Sequence, residues 1–166
     1  MKKLVSSLVA GALLLSLSAG AVSADTSVHN LQTAPPANIN VITPMGANAP
    51  GSNASIHDLS VSSYNYQVSE VGAQVYTDKW IKGSSKMKVT VTNVKNVGET
   101  PGSLSGVTIT VYNASNQAVA SGNINPNTTS SITFSGLSSS NKYYVEFSVP
   151  RSGLKFAFNG TISSAQ

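Results

Sequence analysis

From Ile56 onward, oily and watery side chains alternate one for one, and this period of two constrains the chain more than any other feature. "KMKVTVTNV" sets Met87, Val89 and Val91 on one side and Lys86, Lys88, Thr90 and Thr92 on the other. "GVTITVYN" sets Val107, Ile109 and Val111 against Thr108, Thr110 and Tyr112. "KYYVEFSV" opposes Tyr143, Val145, Phe147 and Val149 to Tyr144, Glu146 and Ser148, and "LKFAFNGTI" opposes Leu154, Phe156 and Phe158 to Lys155 and Ala157. Successive side chains of a strand point to opposite faces, so this pattern describes strands with one face buried. β-Branched and aromatic residues supply the buried side, as pleated surfaces favour. Past the N-terminal segment no window carries a helical stripe.

Turn chemistry punctuates the alternation. "NASN" at 113–116 links two short runs, "NINPNT" precedes Ile132 and Phe134, "PRSG" joins the last two runs, and "NVGETPGSLSG" forms the longest interior loop. Gly, Pro, Asn and Ser each favour turns for their own backbone reasons. The expected strands are 56–63, 64–69, 74–82, 86–94, 106–112, 117–122, 130–135, 142–149 and 154–162. The expected fold is all-β: an antiparallel β-sandwich of about 7–9 strands over 56–166.

The segments before it have other compositions. Lys2 and Lys3 precede an apolar run, Leu4 to Leu17, and "AVSAD" places small residues where a signal peptidase cuts. Residues 1–24 therefore read as a secretory signal peptide cleaved after Ala24, with a cut after Ala21 or an uncleaved anchor as alternatives. Residues 25–55, with Pro35, Pro36, Pro44 and Pro50 among Ala, Asn and Gly, are expected to form a flexible arm, because so little apolar surface cannot offset ordering entropy. The expected location is extracellular or at the cell envelope, in the style of a bacterial exported protein. The chain has no cysteine, so disulfides cannot brace it.

Chemistry is sparsely signalled. His29 and His57 are the histidines, and the carboxylates are dispersed. No G-x-S-x-G or phosphate loop is present, and no metal or cofactor is expected. A non-enzymatic protein is the expectation. The one charge anomaly is "VYTDKWIKGSSKMKVTVTNVK", where Lys79, Lys82, Lys86, Lys88 and Lys95 face only Asp78. If 74–82 and 86–94 pair as a hairpin through "GSS", these lysines share one outer face, and Tyr76 and Trp80 share a parity that offers a stacking platform. Such a face suits an anionic cell-wall polymer, a polysaccharide or a protein. A membrane surface is also compatible, and nucleic acid is disfavoured because no arginine lies in the stripe. The opposite assignment is plain: lysines on exposed strands serve solubility, and a lone tryptophan belongs in a core.

"FSGLSSSNKYYVEFSV" carries Leu137 six residues before Tyr143, with Val145 and Phe147 following at period two. This resembles fibronectin type III and immunoglobulin-like sandwiches, and is similar to runs in prealbumin-like surface domains of Gram-positive bacteria. The resemblance implies a corner tyrosine at Tyr143, its hydroxyl meeting a backbone group across the turn, with Leu137 packed beside it and Tyr144 pointing out. It implies architecture and names no activity. A binding module is the favoured role. A pore-forming β-protein, whose Ser/Thr faces would line a channel, and a secreted enzyme inhibitor are the alternatives.

Overall fold

A computed structural model describes residues 42–128 and 130–166. The proposed signal peptide, the arm from 25 to 41 and His29 lie outside the described residues. The chain is all-β. Its strands are β1 (Ile42–Pro44), β2 (Ile56–Asp58), β3 (Tyr64–Val71), β4 (Gln74–Tyr76), β5 (Trp80–Lys82), β6 (Lys86–Asn96), β7 (Val107–Asn113), β8 (Ala118–Ile124), β9 (Ser131–Ser135), β10 (Tyr143–Ser148) and β11 (Phe156–Ser164). They form two sheets, ordered β1-β3-β11-β6-β9 and β2-β5-β10-β7-β8, with β4 also pairing β10. We call them the first and second sheets.

The alternation does what its period requires. Met87, Val89 and Val91 of β6 are buried with Tyr66 and Val68 of β3 and Phe156, Phe158 and Ile162 of β11. They meet Val107, Ile109 and Val111 of β7 and Val145 and Phe147 of β10, which are fully buried. Rings tie the layers together: Tyr66 and Phe147 lie 4.8 Å apart, and Phe147 and Phe158 6.0 Å. This is a sandwich, two pleated layers with one apolar filling between them.

Three expectations are corrected. Both sheets are mixed rather than purely antiparallel, because β1 pairs β3 and β2 pairs β5 in parallel. Eleven strands are present among the described residues, because 74–82 breaks into β4 and β5 and short strands line the margins. Lastly, part of the segment expected to be a flexible arm, residues 42–55, packs on the sheets. Ile42–Pro44 pairs with Asn65–Gln67, Gly46 exchanges backbone hydrogen bonds with Tyr76, and Pro50 is buried. A proline suits β1 because, among the described residues, this short strand pairs only with β3 at the edge of the first sheet, where a missing N–H costs little.

The "GSS" link is a crossing between sheets and not a hairpin turn. β5 belongs to the second sheet and β6 to the first. Gly83 has φ +90°, and a Cβ there would overlap the Asp58 carboxylate. Ser84 is buried, its hydroxyl donates to the Lys86 carbonyl, and it lies 3.0 Å from the Ser164 hydroxyl. The real hairpin is β7–β8. There the Asn113 side chain accepts hydrogen bonds from the Ser115 and Gln117 amides, and Asn116 takes the left-handed φ of +59° that asparagine tolerates.

Candidate functional site: the aromatic outer face of the second sheet

The crossing scatters the basic stripe. Lys82 stands on the second sheet and pairs with Asp58 at 3.2 Å. Lys86, Lys88 and Lys95 are exposed on β6 in the first sheet, and Lys79 sits half-buried between β4 and β5. No single face gathers the five lysines, so the hairpin surface imagined from the sequence does not form.

The aromatic half of that expectation takes a different shape. Tyr76 and Trp80 do meet on one surface, through Tyr144, which stands between them. Its ring lies 6.1 Å from Tyr76 and 5.7 Å from Trp80, both edge-on. On its other side Tyr144 stacks on Tyr112, with centroids 5.0 Å apart and planes 9° from parallel. The register explains the cluster. Tyr144 lies directly across from Tyr112, and Glu146 directly across from Tyr76 on one side and Thr110 on the other. Directly opposed residues on one face are the pairs that touch.

Tyr144 therefore points outward yet is only 5% exposed, because three strands' aromatic side chains wall it in. Its hydroxyl donates to Asn116 at the β7–β8 turn. Trp80 is equally covered, at 4%. Its indole N–H donates to the Gly51 carbonyl at 3.0 Å, and Lys142 Nζ sits 4.5 Å above its ring. The tryptophan thus anchors the 46–55 segment and underlies the cluster without offering an open face. Tyr76 and Tyr112 are the half-exposed rings. Across from Tyr112 on β8 is Ala118, too short to cover a ring.

Glu146 stands among these rings, and the tyrosines respond. Burial raises the hydroxyl pKa of Tyr76 and Tyr112, and the Glu146 charge and a hydrogen bond to it raise both further. Tyr144 is raised by burial and then by Glu146. All three remain neutral donors at ordinary pH. Polar pairs extend the surface: Gln74 donates to the Tyr76 hydroxyl at 2.6 Å, Thr110 and Ser121 hydroxyls lie 3.1 Å apart, and Asn123 donates to Thr108. The result is a rigid face of tyrosine rings, one carboxylate, the Lys142 ammonium at the Trp80 end, and neutral hydroxyls and amides.

Sequence reasoning missed Tyr112, Tyr144 and Glu146 as site residues. The parity of "KYYVEFSV" and "GVTITVYN" puts all three on outer faces, but only strand pairing reveals that β7 and β10 are neighbours.

Tyr143 opens β10, directly after the 136–142 turn. The Tyr143 hydroxyl accepts a hydrogen bond from the Ser138 amide at 2.9 Å, and Leu137 is buried in the core beside it. His57 lies against Tyr64, ring centroids 5.4 Å apart, and its Nε2 is 2.9 Å from the Ser62 carbonyl. Among the described residues no three metal-ligating side chains converge. Comparison of the chain with protein-family models, with curated proteins and with solved structures finds no match in any of the three.

Proposed function

We propose that the protein is an exported, non-enzymatic binding module that holds a neutral polysaccharide on the outer face of the second sheet. The observation that carries the reading is the braced tyrosine row, Tyr112 on Tyr144 with Tyr76 beyond, arranged about Glu146. The C–H groups of a sugar ring carry slight positive charge and pack on the negative face of an aromatic ring. Sugar hydroxyls are met by Glu146, the tyrosine hydroxyls and the neighbouring amides. Rings already immobilised by their neighbours lose little entropy on binding. The central carboxylate disfavours phosphate polymers and anionic wall polymers alike, and the lysines that would attract them are distributed over both sheets.

We further infer an immunoglobulin or fibronectin III kind of sandwich. Two features support this. β6 pairs β9 in one sheet while β7 pairs β8 and β10 in the other, as the central strands of those folds do, and Tyr143 makes the corner hydrogen bond. One feature departs from the pattern: the last strand, β11, joins β6 rather than β10.

Retention on cellulose, chitin and insoluble α-glucan tests the function. Retention by one of these polymers that Tyr112→Ala or Tyr76→Ala weakens about tenfold or more is the expected result. No retention on any of the three, or retention indifferent to both variants, overturns it.

A further inference from the structure

On the opposite side of the molecule, the outer face of the first sheet holds an open hollow of about 460 Å³. We propose that it is a second, independent subsite for a neutral sugar, read by the side-chain amides of Asn93 and Asn159. It borrows only the class of ligand from the function proposed above and shares no residue with that face.

The hollow comes from two irregularities in neighbouring strands. β11 shifts register against both β3 and β6 between Phe156 and Asn159. Opposite that shift, Asn93 adopts φ +54°, the left-handed conformation that asparagine tolerates better than most residues. Bulges re-aim side chains and recur beside binding sites. Here they bring the two asparagines together. The Asn159 side-chain Oδ1 accepts from Asn93 Nδ2 at 3.0 Å and from the Thr92 hydroxyl at 2.9 Å.

Those bonds use one half of each amide. Among the described residues nothing meets the Asn159 Nδ2 donors or the Asn93 Oδ1 acceptor. A fixed donor and a fixed acceptor side by side match a pair of adjacent sugar hydroxyls, each of which gives and takes a proton. Two residues along β11, the Thr161 and Thr90 hydroxyls form a second polar pair, 2.8 Å apart. Every polar side chain lining the hollow is an uncharged amide, hydroxyl or phenol, and the exposed Ile42 forms its apolar wall. That lining suits neither an anion nor a cation. With tyrosines on one sheet and asparagines on the other, one molecule could hold two glycan chains, which raises avidity without further contacts.

The test is an NMR titration of the protein with cellohexaose, maltohexaose and chitohexaose, following the side-chain amides of Asn93 and Asn159 and the backbone amides of Tyr112 and Tyr144. One of these sugars shifts the two asparagine signals in the wild type and equally in Tyr112→Ala. Asn93→Gly relieves the positive φ and so keeps the fold, yet weakens binding at this hollow about tenfold or more, read at the Asn159 amide. Silent asparagine amides with all three sugars, or undiminished binding in Asn93→Gly, overturn the proposal. Shifts confined to Tyr112 and Tyr144 sink this subsite and leave the tyrosine face standing; shifts confined to the asparagines do the reverse.

Discussion

The Tyr66 hydroxyl donates a 2.6 Å hydrogen bond to the Thr90 carbonyl, reaching from β3 to β6 across the intervening β11 at Gly160. A Cβ at Gly160 would overlap that same oxygen and stand 2.8 Å from the Tyr66 hydroxyl. The glycine is therefore a gap filled by a neighbour's ring, a known way of rescuing a glycine within a sheet. The Thr161 amide turns instead to the Thr90 hydroxyl, at 2.9 Å, so two side chains stand in for regular ladder bonds.

Tyr66→Phe keeps the ring and removes the donor. The expected loss is about 1–3 kcal/mol, the cost of leaving a carbonyl without its partner. Gly160→Ala places a methyl group against backbone that cannot swing aside, and the expected loss is about 3 kcal/mol. Urea midpoints at constant slope measure both. Equal midpoints for Gly160→Ala and wild type would contradict the packing described.

Stability should fall at alkaline pH, and Tyr66 and Tyr64 set the direction. Burial raises both hydroxyls well above their ordinary value of 10.0, with the Asp78 hydrogen bond adding to Tyr64 and the proximity of Tyr64 adding to Tyr66. A raised folded-state pKa means the contribution is fully present below pH 10 and lost as pH climbs toward the folded values. Thermal unfolding from pH 8 to 11.5 should show a falling Tm above pH 10, with a shallower fall in Tyr66→Phe. At the acid end, Ser60 hydrogen bonds and then Lys82 hold the Asp58 carboxyl at about 2. Its contribution is present above pH 3.8 and disappears as pH falls through 2.

At the corner, Tyr143→Phe deprives the Ser138 amide of its acceptor and should cost about 1 kcal/mol. Leu137→Ala, at a buried position, should cost about 2–3 kcal/mol. A double variant losing less than the sum would show that the hydroxyl's hydrogen bond and the packing of Leu137 support one another.

The period of two made the layers legible. Val89, Val111, Val145 and Phe156 all sit in the interior that alternation assigns them. Which strands adjoin was not legible, because register depends on pairings far apart in sequence. "GSS" reads as a hairpin turn, yet the Asp58 carboxylate against Gly83 and the buried Ser84 make it a crossing between sheets. The same limit hid the aromatic site: parity points Tyr144 outward, but Tyr112, Tyr76 and Trp80 converge on it from separate strands. The 42–55 segment escaped notice because its few anchors, such as the Gly51 carbonyl, are backbone groups that composition does not reveal.

Trp80 reports on that segment. With its ring under Lys142 and its N–H on Gly51, its emission should be blue-shifted and resist quenching by acrylamide. Gly51→Pro, which keeps the carbonyl but restricts the backbone beside it, should loosen the segment and raise quenching while the sandwich still unfolds cooperatively. Free quenching in the wild type would mean that the tryptophan is not enclosed.

Salt separates a tyrosine face from a lysine face. Charge attraction between exposed groups weakens as the screening length shrinks from about 10 Å at 0.1 M salt to about 3 Å at 1 M. Sugar stacking on Tyr112 and hydrogen bonding to Glu146 carry no such term, and Lys86 and Lys88 project from the other sheet. Affinity for a neutral glycan should therefore change less than about twofold over that range. Replacing Lys79, Lys82, Lys86 and Lys88 together by Gln should leave it within the same margin, whereas Tyr112→Ala should not. A binding curve that collapses with salt, or with the four lysines, would return recognition to the basic residues and remove it from the tyrosine row.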